Sequence, residues 1–207
     1  MASRININWM ARGEPLHSHL LRGKAWSETI AFLGSKLPRH LKANFNISTI
    51  MPSGFSYLED LPVPNPEVGK TRLYYSLYSM NPKFRKRWLP RTRNPMAALN
   101  DLAYWQRVST GVEVILHWAF IKDQNDSEDD VDDIVRAVKN SGIKVRFNVV
   151  RYNPFSSDQG EESDIDTINA RFEQLKTCAL VPGSKIVSRV GPDVYASCGM
   201  FVNLGRP

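Results

Sequence analysis

Residues 5–16, ININWMARGEPL, decide how the rest of the chain is read. Ile5, Ile7 and Trp9 recur at period two, the spacing that lines one face of a strand, and Met10 follows. Gly13 permits a sharp backbone turn, and Pro15 bars further ladder pairing. The segment is a strand that stops at Gly13-Glu14-Pro15, leaving Glu14 at its carboxyl end. Open and barrel-shaped α/β sheets place their ligands at that end, and a carboxylate there suits a cationic amine. Taken alone, a Gly-Glu-Pro is no more than a strand end with a solvated acid, so its meaning is set by the remainder of the chain.

Downstream, helical and extended patterns alternate. A helix is expected from Trp26 to Leu41, with Ser27 as cap, an apolar stripe of Ile30, Leu33, Leu37 and Leu41, and a bend or early stop at Pro38. Phe45–Ile50 reads as a second strand carrying Ser48-Thr49, and Arg72–Ser79 as a third with Ser76 near its end. Glu59–Thr71, with Pro62, Pro64 and Pro66, is an irregular connection. Pro95–Val108 is a helix with proline in its first turn. Val112–Phe120 is a strand apolar enough to be buried on both faces. Its Glu113 and His117 face either a polar interior or an exposed edge. The acids after Ser127 suit a helix N-terminus, and that helix closes at Gly142. Lys144–Val150 is the fifth strand, with Asn148 near its end. A helix over Ile165–Leu180 and a short strand over Lys185–Arg189 complete the pattern.

Such a βα repeat predicts a parallel sheet with helices outside, and right-handed crossovers bring the strand ends to one rim. Glu14, Ser48, Ser76 and Asn148, far apart in sequence, converge there. The chain opens on a buried-looking strand with nothing before it to cover that edge, so something is expected to be missing on its amino-terminal side.

Composition sets the bounds. The 207 residues suit one good-sized core, and 42% hydrophobic with 23% charged residues is ordinary for a globular protein. No apolar run is long enough to span a bilayer, and the N-terminus lacks a signal-peptide pattern, so a cytoplasmic location is expected. Two cysteines, Cys178 and Cys198, make no disulfide framework and cannot alone hold an iron–sulfur cluster. His17, His19 and His40 lack partners at ligand spacing, and no metal site is expected. Net charge is +6, from 27 basic and 21 acidic residues, which is compatible with a polyanion partner. The basic residues are densest in Asn81–Arg93, where Lys83, Arg85, Lys86, Arg87, Arg91 and Arg93 occur with Phe84 and Trp88 and no acid. Cations neutralise phosphates and exposed aromatics stack on bases. The plainer reading is a basic loop with Trp88 tucked into the core.

Six motifs occur in a fixed order: GEPL, IST, YYSLYSMNPKFRKRWLP, VILHWAFIKDQND, KVRFNVVRYNPF and DVYASCGMF. In that order they resemble the carboxyl-terminal part of the radical S-adenosylmethionine RNA methyltransferases of the RlmN/Cfr type, which methylate adenine at C2 or C8 in ribosomal RNA and, in RlmN-type members, in tRNA. The resemblance implies an incomplete (βα) radical-SAM-type barrel with parallel strands two to six and the first strand missing. It implies a partial barrel over residues 1–180 and a C-terminal segment over residues 181–207. It implies S-adenosylmethionine contacts at Gly13 and Glu14, at Ser48, at the Ser76-Leu77-Tyr78 triplet (Tyr78 replacing a histidine) and at Asn148. Cys198 matches the cysteine that carries the methyl group, a role that needs a thiolate.

Several departures accompany the match. The CxxxCxxC motif that ligates a four-iron four-sulfur cluster is absent, as is the family's amino-terminal helical domain. The first expectation is therefore one portion of such an enzyme, acting on RNA, with the cluster-bearing N-terminal half supplied from elsewhere. The alternative is a catalytically inactive remnant that serves as an RNA-binding module.

Overall fold

The computed structural model describes residues 3–10, 13–54, 61–154 and 157–188. Six strands succeed one another across a single sheet in chain order: β1 (Arg4–Trp9), β2 (Lys42–Thr49), β3 (Gly69–Tyr75), β4 (Val112–Ala119), β5 (Val145–Val150) and β6 (Lys185–Ile186). Every neighbouring pair is parallel. Among the described residues five α-helices connect them: α1 (Gly23–Lys36), α2 (Pro82–Trp88), α3 (Pro95–Val108), α4 (Glu128–Ser141) and α5 (Ile165–Lys176). When each strand is laid beside the last by crossovers of one hand, all helices fall on one side and the sheet curls. The result is an incomplete α/β barrel, as expected.

The pleat divides the strands into two sets of residues. On the helix-covered face Phe45, Ile47, Leu73, Tyr75, Leu116, Trp118, Phe147 and Val149 are buried. Trp26 of α1 meets Trp9 and Phe45 edge-on, with ring centroids 5.6 and 5.5 Å apart. Trp118 does the same against Phe147 at 6.0 Å. The opposite, concave face is polar. Asn6 and Asn8 accept from the side-chain amides of Asn44 (2.9 Å) and Asn46 (2.7 Å). Further across, Arg72 Nε lies 2.8 Å from Glu113, with Arg146 and Lys70 each at 3.4 Å. Burial works against the Glu113 charge, but these three cations prevail and hold its carboxyl below the usual range.

Glu113 and His117 thus lie on the polar interior face, with the fully buried Ile115 between them, so β4 carries buried apolar residues on both faces. Differences from expectation are local. α1 begins at Gly23 and ends at Lys36, because Leu37, before Pro38, is extended. Ser27 lies inside the helix, its hydroxyl donating to the Gly23 carbonyl. β2 starts at Lys42, since Asn44 and Asn46 belong to the polar face. β3 starts at Gly69, where a Cβ would come within 1.9 Å of the Ala43 carbonyl oxygen, and it ends one residue before Ser76. The expected basic loop contains α2, which Asn81 caps through Lys83 N and Phe84 N and Pro82 opens. α5 stops at Lys176. β6 pairs with β5, so the sheet runs on past residue 180.

Candidate functional site

β1 delivers the chain to the rim, and Gly13 turns it there with φ +86°. Glu14 is next, half-buried. Its Oε1 accepts from Leu16 N at 3.0 Å, capping a short 3-10 turn, and its Oε2 accepts from Ile50 N at 2.9 Å. One carboxylate therefore ties the end of β1 to the end of β2, and the tie fixes its position. Ser76 N continues the ladder by donating to the Thr49 carbonyl at 2.9 Å. Met10, Gly13, Glu14, Ser48, Thr49 and Ser76 line a cleft of about 70 Å³ at this point. Four residues singled out in the sequence, Gly13, Glu14, Ser48 and Ser76, thus meet in one place.

The other candidates stand differently. Leu77 is fully buried in the core, and its carbonyl accepts from Arg85 at 2.8 Å. Tyr78 turns with φ +59°, its carbonyl accepts from the buried Asn125 amide at 3.0 Å, and its ring stacks on Phe84. Neither lines the cleft. Asn148 lies two strands beyond Ser76, on the concave face, 8% exposed, with its Oδ1 buried and unpartnered. A buried amide oxygen without a donor is costly, and this one is free to accept a hydrogen.

His117 is the site residue that sequence reasoning left open. It pairs in register with Asn148, and its ring meets Tyr74 edge-on at 5.9 Å. Its Nδ1 is buried without a partner, and burial pushes its pKa down to about 4, so the imidazole is neutral. The available signal was its even spacing from Glu113 along β4.

The basic segment divides into two groups. Lys83, Lys86, Arg87 and Arg91 are exposed, and the Arg87 guanidinium lies 5.2 Å from the Trp88 ring centre. Trp88 is half-buried and donates to Gln124 at 2.9 Å. Arg85 corrects the expectation of an RNA contact. It is 6% exposed, and it donates to the carbonyls of Leu77, Ser79 and Arg93 and to the Thr92 hydroxyl. Its charge is spent holding the β3–α3 connection together. Arg93 is tied to Asp101 of α3 at 2.8 Å.

Cys178 is buried, its Sγ 3.2 Å from the Leu175 carbonyl, and burial pushes its thiol up to about 11. It is an inert packing residue. Cys198 lies outside the described residues. Among the described residues no group of three His, Cys, Asp or Glu could hold a metal ion, and no helix is long and apolar enough to cross a membrane.

No family model matches the chain. Over 198 residues, 95% of its length, it is 26% identical to the dual-specificity RNA methyltransferase RlmN of Bartonella henselae. Over 205 residues it is 27% identical to a probable RlmN of Dictyoglomus turgidum. The alignments take in 45% and 53% of those two proteins, so the chain spans about half the length of the curated relatives it matches. A radical SAM methyltransferase from Sphaerobacter thermophilus shares the fold with a TM-score of 0.67 at 18% identity, over 96% of this chain and 54% of that one. A domain of the pyruvate-formate lyase-activating enzyme from Bacteroides vulgatus does so at 0.53 and 10% identity. The resemblance carried by the six motifs thus extends over nearly the whole chain, which is similar to about half of a radical SAM RNA methyltransferase of the RlmN type.

Proposed function

We propose that this chain is the S-adenosylmethionine-binding, methyl-carrying portion of a radical SAM RNA adenine methyltransferase, acting on ribosomal or transfer RNA. The observation that carries the proposal is the convergence of Gly13, Glu14, Ser48 and Ser76 on one rim cleft. The donor set fits the group. The Glu14 carboxylate, already oriented by two backbone N–H groups, offers its remaining lone pairs to an ammonium. Ser48 and Ser76 supply hydroxyls, and the unpartnered Asn148 Oδ1 supplies an acceptor farther along the concave face. Bound there, S-adenosylmethionine supplies the methyl group. The role of Cys198 would be to present a thiolate, after loss of its proton, as the nucleophile that takes the methyl group from the sulfonium, which leaves as the neutral thioether S-adenosylhomocysteine, and holds it for adenine. The exposed cations Lys83, Lys86, Arg87 and Arg91 draw the RNA phosphates to the same side of the molecule as the C-terminal end of β3.

The four-iron four-sulfur cluster does not fit these 207 residues. Its three thiolates have no counterpart beside one buried thiol and Cys198. No step is assigned to the cluster in this chain, and the complete reaction requires a cluster-bearing portion.

The test is co-expression with the cluster-bearing portion of an RlmN-type relative, under reducing, anaerobic conditions. Two readouts apply: adenine methylation in total RNA, and a methyl mass increment on the peptide carrying Cys198. Both are expected, and both are abolished by Cys198→Ala. A second reading, an RNA-binding module without catalysis, draws on the same exposed cations. It is the right one if neither methylation occurs while RNA binds in a salt-dependent way.

A further inference from the structure

The cleft at Glu14 is too small to account for the whole concave rim. From Ser76 the same line of the sheet continues across β4 and β5. The β3–β4 ladder ends at Tyr75 paired with Leu116, so Ser76 stands opposite His117, and His117 is paired with Asn148. Register partners in parallel strands point to the same face and lie about 4.8 Å apart. Ser76, His117 and Asn148 therefore form a line that leads away from Glu14 along the concave surface.

Two atoms on that line are unusual. His117 Nδ1 and Asn148 Oδ1 are both buried and both lack a hydrogen-bond partner. Asn148 is more than nine-tenths buried. Each such atom is costly to leave unpaired, and what sets these two apart is their place, in register on adjacent strands of the concave face, where one ligand can meet both. The amide oxygen can only accept. The neutral imidazole can donate from one ring nitrogen and accept at the other. The pair therefore offers a donor and an acceptor side by side. Tyr74, edge-on to the imidazole, gives the position a ring wall.

We infer that His117 and Asn148 together form a subsite for the hydrogen-bonding edge of an adenine. The chemistry is complementary. The adenine N6 amino group donates and its ring nitrogen beside it accepts, the pattern that asparagine side chains read bidentately in other settings. The inference rests on the proposed function and deepens it by giving His117 a binding role. The adenine has two sources in that function: the nucleoside end of S-adenosylmethionine, with its amino-acid end at Glu14, or the target base of the RNA. The shared chemistry is the 6-amino edge.

The experiment compares ligands that differ at that edge. In one arm, S-adenosylhomocysteine and its inosyl analogue, which carries a 6-oxo group, are titrated calorimetrically into the full chain. In the other, short single-stranded RNAs with one adenine or one inosine are titrated. The variants are His117→Leu, which removes the imidazole nitrogens, and His117→Gln, which keeps a polar group. Far-ultraviolet circular dichroism checks that each is folded. The wild type is expected to prefer the adenine form by about tenfold or more in one arm, because the other form leaves a buried polar group unmatched. That preference shrinks to within about threefold in His117→Leu and recovers in part in His117→Gln, a pattern a purely structural histidine does not give. The arm in which it shrinks identifies the source. If the wild type binds S-adenosylhomocysteine and the inosyl analogue equally and also fails to distinguish the two RNAs, the subsite is wrong while the proposed function stands. If His117→Leu discriminates as well as wild type, the role of His117 is likewise overturned. If the wild type binds no adenosyl ligand of either kind, the proposed function falls and the subsite with it.

Discussion

The two faces of this sheet are built from alternate residues of the same strands, yet they do different work. On the helix-covered face, side chains such as Phe45, Leu73, Trp118 and Phe147 are out of water and packed against helices. On the concave face, Asn6, Asn44, Arg72, Glu113, His117 and Asn148 stand in register and meet one another, or meet nothing. A shift of one residue in any strand would exchange the two sets, so the apolar face fixes where every polar group points. The contrast is a division of labour. Burial on one side holds the fold, and its rigidity fixes where the polar atoms of the other side stand.

That division is most vulnerable on the apolar face. Trp118→Ala removes a fully buried ring and is expected to cost about 3–5 kcal/mol in a urea melt, with ligand affinity of the folded fraction unchanged. Arg85→Met comes next. It leaves three carbonyls without their donor and is expected to cost about 3 kcal/mol, without altering the salt dependence of RNA binding. A still smaller effect comes from His117. Its folded pKa of about 4 lies below the usual value of about 6.5, so the unfolded chain takes up the proton first as pH falls. Its contribution is therefore complete above pH 6.5 and is lost between about 6.5 and 4, by about 2–3 kcal/mol, whereas His117→Gln flattens that window relative to wild type. The smallest stability change belongs to the solvated cations. Replacing Lys83, Lys86, Arg87 and Arg91 with glutamine leaves the melt within about 0.5 kcal/mol, but lowers the salt slope of single-stranded RNA binding by about 3.

Much of this arrangement was legible in the residues. The alternation in ININW, the βα order and the Gly-Glu-Pro stop give a parallel, curled sheet with Glu14 at its rim. The helices over Pro95–Val108 and from Glu128 to Gly142 announce themselves by proline, acids and glycine at their ends. The rest was hidden for physical reasons. The Asn81-Pro82 cap sits in front of a helix so rich in cations that charge masked its period, and Arg85 within it is buried, because its partners are backbone carbonyls that no sequence pattern displays. The early start of β2 was missed because Asn44 and Asn46 look like loop residues until Asn6 and Asn8 stand beside them. Leu77 resembles part of a binding triplet, but its side chain is on the core side of the pleat. His117 becomes informative only once register sets it against Asn148.

If Glu14 anchors a bound S-adenosylmethionine at the polar rim, calorimetric titration of that ligand into wild type and Glu14→Gln reads the anchor directly. Saturable one-to-one binding by wild type is expected, with a loss of about tenfold or more in Glu14→Gln, since a charge-assisted contact to the ammonium is removed. Equal affinity in the two proteins, or no saturable binding by wild type, would contradict the anchoring role of Glu14.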